Sequence, residues 1–209
     1  MHKILWFGFM TGVSLYFSSG ASAATYELDT AHCRFDFSVK HMVISNVGGN
    51  FKIFQGKGVG TFEGAKNSIE SLEVKIDPAS IDTNEPKRDA HLRSPDFFDV
   101  VKFPTMEFKS SSITYTSGGA PQKIHGTLLM HGVTKPLVLD VEWGGILKDP
   151  KGKDRLAFEA SGTLNRKDFG LVYNKVLDNG GLAVGDEVKI HVQVEALKVE
   201  ASKDLKKAK

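Results

Sequence analysis

Side chains able to do chemistry are few in this sequence and widely spaced. Beyond His2 there are six histidines, His32, His41, His91, His125, His131 and His191, and a single cysteine, Cys33. Imidazole and thiolate ligate zinc and haem iron, yet none of these residues falls in a His-Glu-x-x-His or Cys-x-x-Cys spacing. A metal or haem site would need strands to bring distant histidines together, and that is the main chemical alternative. Asp89, His91 and Ser94 can be drawn as a nucleophile with its base, but residues two apart on a helix do not face each other. No Gly-x-Ser-x-Gly elbow is present either. The residue types therefore predict no catalytic centre, no cofactor and no metal. One cysteine excludes an intramolecular disulfide, so stability must come from packing.

The elements that would position any site are strands. Cys33, Phe35, Phe37 and Val39 alternate with Arg34, Asp36, Ser38 and Lys40, a period of two that marks a strand with one face turned inward. The same period runs through Leu72–Ile76, Leu137–Trp143, Leu156–Leu164 and Val188–Ala196, with a parity change at Leu197 and Val199 that reads as a bulge or a strand end. Further strands are expected over Gly48–Phe62, Thr105–Tyr115 and Lys123–His131. Turn residues punctuate the runs at 117–121, 149–152 and 178–181. About eight strands in meander order follow, and closing them into an antiparallel β-barrel is the commonest way to protect their edges. One stretch, Asn84 to Ser94, reads as a short helix, begun by a capping residue with Pro86 in its first turn and ended by Pro95.

Charge and the chain ends narrow the class further. Lysine and arginine total 27 against 25 acidic residues, a formal charge of +2, which gives no electrostatic reason to expect a nucleic-acid partner. The chain starts with His2 and Lys3, continues with an apolar run from Ile4 to Phe17 and reaches Ala21-Ser22-Ala23. That is the layout of a cleavable secretory signal, and the run is shorter than the roughly twenty residues a spanning helix needs. Cleavage is expected after Ala23, leaving one domain over residues 24–200 in the periplasm and a basic, solvated tail over 201–209. The tail is compatible with a weak, transient contact to an anionic membrane surface. The sequence leaves a homodimer open.

Ser80-Ile81-Asp82-Thr83, followed by Arg88-Asp89-Ala90-His91-Leu92, Asp96-Phe97-Phe98-Asp99 and Phe103-Pro104, resembles the YceI-like family of polyisoprenoid-binding proteins. Four other stretches agree with that family in order. They are Tyr26-Glu27-Leu28-Asp29 with His32, Gly49-Asn50-Phe51 after His41, Gly126-Thr127-Leu128 with Gly132-Val133-Thr134-Lys135-Pro136, and Asn165 to Gly170. The resemblance spans Tyr26 to about Leu197. It implies an extended, lipocalin-like barrel, commonly secreted or periplasmic, whose pore holds an isoprenoid chain or another long apolar ligand.

Alternation then nominates the inward side chains: Phe35, Phe37, Val39, Phe51, Leu72, Val74, Ile76, Met106, Phe108, Leu128, Met130, Phe158, Leu164, Val188, Ile190 and Val192. Fourteen phenylalanines against two tryptophans fit smooth apolar walls with few hydrogen-bonding groups. Phe97, Phe98 and Phe169 are placed as a lid or plug, with ligand entry near Arg88 to Phe98. His41, Asn50, Arg88, Asp89, His91 and Arg166 are the candidates to meet a polar head group. For Arg88 and Arg166 the competing reading is an ion pair that pins a loop. Two further readings stay open: a metal- or haem-linked stress protein, and a structural module whose core is simply packed.

Overall fold

Alternating inward and outward side chains only stabilise a sheet whose inward face is enclosed, and here the sheet encloses itself. A computed structural model describes residues 22–63, 66–176 and 183–199. Its strands are β1 (Ala24–Leu28), β2 (Arg34–His41), β3 (Ser45–Phe51), β4 (Phe54–Glu63), β5 (Lys66–Ile76), β6 (Ile81–Asp82), β7 (Met106–Tyr115), β8 (Pro121–Met130), β9 (Val133–Lys148), β10 (Asp154–Asn165) and β11 (Val184–Lys198). They lie on eight lines. Both β1 and β2 pair with β11, β1 pairs with β4 and β2 with β3, while β5 and β6 follow one another beside β4 and β3. Neighbours are then consecutive through β7, β8, β9, β10 and β11, every pairing is antiparallel, and β1 against β11 closes the barrel.

The expected eight-strand meander is thus present, with three lines broken. The run expected as one strand over Gly48–Phe62 is two, interrupted at Lys52 and Ile53. Long strands must coil to follow a barrel, and a break concentrates that bend. The two backbone amides freed at this break both donate to the Ser80 hydroxyl, at 3.1 and 3.0 Å. At the break between β1 and β2, the buried Cys33 thiol donates to the Glu195 carbonyl at 3.2 Å. Cys33 is a strand-joining residue there, and burial raises its thiol pKa. At the other end of β11 the strand stops at Lys198, where parity was expected to fail. The turns expected at 117–121 and 149–152 join β7 to β8 and β9 to β10, and the one at 178–181 lies outside the described residues.

Helix α1 (Pro86–Arg93) covers one end of the barrel. The Glu85 carboxylate caps it by accepting from the Lys87 and Arg88 amides, and Pro86 occupies the first turn, where no amide is needed. The helix has no apolar stripe of its own, so polar bonds hold it to β6. Asp89, buried, accepts from the Thr83 amide at 2.9 Å and from its hydroxyl, while Arg88 donates to the Thr83 hydroxyl at 2.7 Å and carbonyl at 2.8 Å. Arg93 adds bonds to the Ala79 and Ile81 carbonyls, at 2.7 and 2.8 Å.

Closure is short, since β1 meets β11 only from Tyr26 to Leu28. Arg155 on β10 reinforces it by donating to Asp29, at 2.7 Å, and to the Glu195 carboxylate. Burial by itself would push the Asp29 carboxyl up; the hydrogen bonds from Arg155 and His32 outweigh that and hold it below the usual carboxylate range. A carboxylate held low stabilises the fold above its unfolded value of about 4 and loses that contribution as pH falls through the folded value. Arg155→Leu should therefore cost about 1 kcal/mol at neutral pH. Urea unfolding of both proteins should show the difference shrinking as Asp29 protonates below about pH 4.

Several inward positions are glycine, and each faces a large side chain. A Cβ at Gly126 would lie 2.4 Å from the Lys109 carbonyl oxygen and 2.5 Å from the Phe108 ring, and one at Gly49 would lie 2.6 Å from the Phe37 ring. The rings lie across bare backbone. Gly126→Ala should destabilise the fold by about 1–3 kcal/mol, because the backbone oxygen cannot yield as a side-chain tip would. A lowered urea midpoint with an unchanged slope is the expected signature.

Candidate functional site

The inward faces of the eight lines do not meet. They leave a cavity of about 230 Å³ along the barrel axis, walled by side chains from every line and by Leu92, Phe97, Phe98 and Leu171 from the connections. Its lining along β11 runs from Val184 to Ala196. At about 3.3 Å per residue, reduced by the tilt of strands in a barrel, that is roughly 30 Å of axial length. The shape is a slender bore.

Aromatic clusters stand at its two ends. At the α1 end Phe37 packs on Phe51, with ring centroids 5.6 Å apart, and Phe51 meets the edge of Phe98 at 5.8 Å. At the far end Tyr26, Phe62, Trp143 and Phe158 form a chain with spacings of 5.2, 5.8 and 6.4 Å. Phe35 and Phe54, 4.4 Å apart, lie between them along β2 and β4. Burial raises the Tyr26 hydroxyl pKa, with Asp154 adding to the effect.

Sixteen of the sequence-nominated site residues line this cavity: Phe35, Phe37, Val39, Phe51, Leu72, Val74, Ile76, Phe97, Phe98, Met106, Phe108, Leu128, Met130, Phe158, Leu164 and Arg166, and Val188, Ile190 and Val192 join them. Six do not. Asn50 pairs with Asp36 and Asp82 on the outward parity of β3, and His41 sits one step past Val39, the last lining residue of β2. Arg88 and Asp89 are spent on Thr83. His91 binds Asp96 at 2.8 Å and stacks edge-on against Phe97 and Tyr173, outside the wall. Phe169 is buried in the core beside the bore, its carbonyl accepting from His131 at 3.0 Å. The polar candidates were nominated for their chemistry; Arg88 and Asp89 spend it on Thr83 and His91 on Asp96.

Other lining residues were not nominated. Leu137, Leu139, Leu156, Ala160, Val194 and Ala196 follow the alternation and were legible from it. Tyr26, Leu28 and Ile69 belong to runs too short or irregular to show a period, and Leu92 and Leu171 come from connections. Three charged residues contribute to the wall, Asp36, Lys57 and Arg166. Asp36 and Lys57 have outward parity. Arg166 is 4 % exposed and fully engaged: it donates to the carbonyls of Gly185 at 2.8 Å, Tyr173 at 2.9 Å and Leu171, and to Asp186 at 3.2 Å. Burial lowers its pKa, partly offset by Asp186. It clamps the Leu171–Tyr173 segment to the start of β11.

Among the described residues, Asp29, His32 and Glu195 bring one ligand-type atom each within 4.8 Å of one another. The Arg155 guanidinium already bonds both carboxylates there.

A bore of this shape on this topology has relatives. Residues 26–196 match the YceI-like domain. The chain belongs to the YceI-like family. The UPF0312 protein of Shewanella denitrificans is 38 % identical over 191 residues, covering 90 % of this chain and 95 % of the relative. The YceI protein of Campylobacter jejuni aligns in structure with a TM-score of 0.63 at 34 % identity, over 77 % of this chain and 90 % of that one. At 14 % identity, a Saccharophagus degradans domain described as polyisoprenoid-binding shares the fold, with a TM-score of 0.55 over 84 % of this chain and 99 % of that one. The eight-line barrel with its capping helix is the architecture of the family in this chain.

Because Arg166 holds two chain segments at the rim, Arg166→Met should cost about 3 kcal/mol or more, chiefly through the carbonyls it would orphan. Hydrogen exchange should quicken at residues 171–174 ahead of the barrel strands.

Proposed function

We propose that this protein is an exported carrier that holds one chain-like lipid, a polyisoprenoid or a similar amphiphile, along the barrel axis and performs no chemical step. The observation that carries this reading is the wall itself: a long, narrow, apolar bore whose one inward charged side chain among the described residues, Arg166, is already satisfied by protein carbonyls and Asp186. A small polar substrate would lose its hydration there without finding partners. An apolar chain loses nothing of the kind, and each methylene buried contributes roughly 0.8 kcal/mol before the cost of ordering the chain. A polar head group would stay at an end of the bore.

The residues that might have formed a catalytic set support the same reading, since each has a different partner. Asp89 bonds Thr83, His91 bonds Asp96, and the Ser94 hydroxyl donates to the His91 carbonyl at 2.7 Å. The Saccharophagus degradans domain adds support for an isoprenoid over other chain lipids. Export to the periplasm rests on residues 1–23, whose basic start, short apolar run and Ala-x-Ala end have the layout of a cleaved signal.

Organic extraction and mass spectrometry of the protein purified without detergent from its extracytoplasmic compartment should yield an isoprenoid at about one per barrel. Ile190→Trp adds ring volume to the bore at a half-buried wall position opposite Phe37 and Gly162 and should abolish retention while leaving the fold intact by circular dichroism. A different long-chain lipid would change the cargo and keep the carrier; extracts without lipid from the unsubstituted protein would sink the proposal.

A further inference from the structure

The hairpin joining β2 to β3 carries a feature that binding inside the barrel does not use. Its turn is Met42-Val43-Ile44, and these side chains are 44, 66 and 86 % exposed. Single exposed aliphatics are ordinary, but three in a row at the tip of a hairpin are not. The backbone makes the choice more pointed. Met42 and Val43 have φ of 50° and 67°, a left-handed conformation that disfavours side chains and most of all a β-branched one. Asn-Gly would serve this turn without strain and would be soluble. The chain instead holds bulky apolar groups outward.

The tip is not isolated. The Met42 amide donates to the Ala183 carbonyl, and the Ala183 amide donates to the Lys175 carbonyl, both at 2.9 Å. Those bonds set the hairpin beside Lys175 and Val176, the latter 73 % exposed. Exposed Lys40 and Lys175 flank the apolar residues, while Asp186 on the neighbouring stretch of β11 is held by Arg166 and Lys167. The patch also continues the bore. His41 pairs with Val184 and Val39 with Val188, and Val39, Val184 and Val188 all line the cavity. An apolar track therefore leads from the wall to the tip.

We propose that the β2–β3 tip seats in the interfacial layer of a lipid bilayer and sets the α1 end of the barrel against the membrane, so that a lipid chain passes between bilayer and bore without crossing water. This rests on the carrier reading above and adds the surface from which the ligand comes. A second copy of the chain fits the tip less well, because a protruding turn offers a few hundred Å² where a stable protein interface buries about 800 Å² per partner. A bilayer accepts such a wedge, and flanking lysines reach its phosphates while their stems stay apolar.

The test uses the mature full-length protein and sedimentation with vesicles of phosphatidylcholine alone or mixed with phosphatidylglycerol. The unsubstituted protein should pellet with vesicles, more strongly with the anionic mixture, and the triple variant Met42→Ser, Val43→Ser, Ile44→Ser should bind about tenfold more weakly or worse. Ile44→Trp, placed on the exposed tip, should shift its emission to the blue when vesicles are added. Ligand content by extraction is measured on the same samples and separates the two readings. Ligand retained with no vesicle binding and no emission shift would overturn docking and leave the carrier standing. A triple variant that loses a dimer while the unsubstituted protein ignores vesicles would overturn it in favour of a second copy.

Discussion

Closing eight antiparallel lines into a barrel leaves an interior that side chains must either fill or wall, and the pairing of large inward rings with glycines decides which happens here. Phe108 lies across Gly126, Phe37 across Gly49 and the Leu139 side chain across Gly162, each too close to the backbone for a Cβ to fit. Rings that lie flat on the neighbouring strand form wall instead of plug. The middle of the barrel stays open while its surface remains densely packed, which is what interiors require for stability. Edge-on aromatic contacts then stand at the two ends, where Phe98 meets Phe51 and Tyr26 meets Phe62.

Polar chemistry in this molecule is directed at the backbone that barrel geometry leaves unpaired. Wherever a line breaks, a side chain takes the orphaned groups: Ser80 at the break between β3 and β4, Cys33 at the one between β1 and β2. Between β5 and β7 the ladder covers only Glu73 to Ile76, and beyond it the Tyr115 hydroxyl serves both the amide and the carbonyl of Ile69 while Ser110 accepts from Leu72. Unpaired buried amides and carbonyls would each cost as much as a lost hydrogen bond, so these residues are constrained by structure. The same logic absorbs Arg88, Asp89 and Arg166. A bore lined almost wholly by apolar side chains selects its guest by shape and apolarity.

Much of this was legible in the sequence. Period-two runs such as Phe35 to Val39 and Leu156 to Leu164 specify strands and their inward faces, because a one-residue slip would turn every apolar side chain to water. Helix α1 was legible from Pro86 and its cap. Part of the family resemblance rests on motifs that turn out to be connectors and clamps, the Thr83–Asp89–Arg88 knot and the Arg166 clamp among them. His41, Asn50 and His91 show the limit of the method. Their residue types suit a polar site, but whether a polar side chain faces the bore depends on partners that only folding brings near.

The sequence by itself determined the long strands, most of their inward side chains and the absence of catalytic spacing, because these follow from local alternation and residue type. Only the tertiary structure decided that the inward set surrounds a bore instead of filling it, that the described residues make eight lines out of eleven strands, and that Arg88, Asp89, His91 and Arg166 are committed to partners within the protein. Those outcomes depend on register between distant strands, such as Gly126 against Ser110 and Phe51 against Ile81, and register is a property of the closed sheet as a whole.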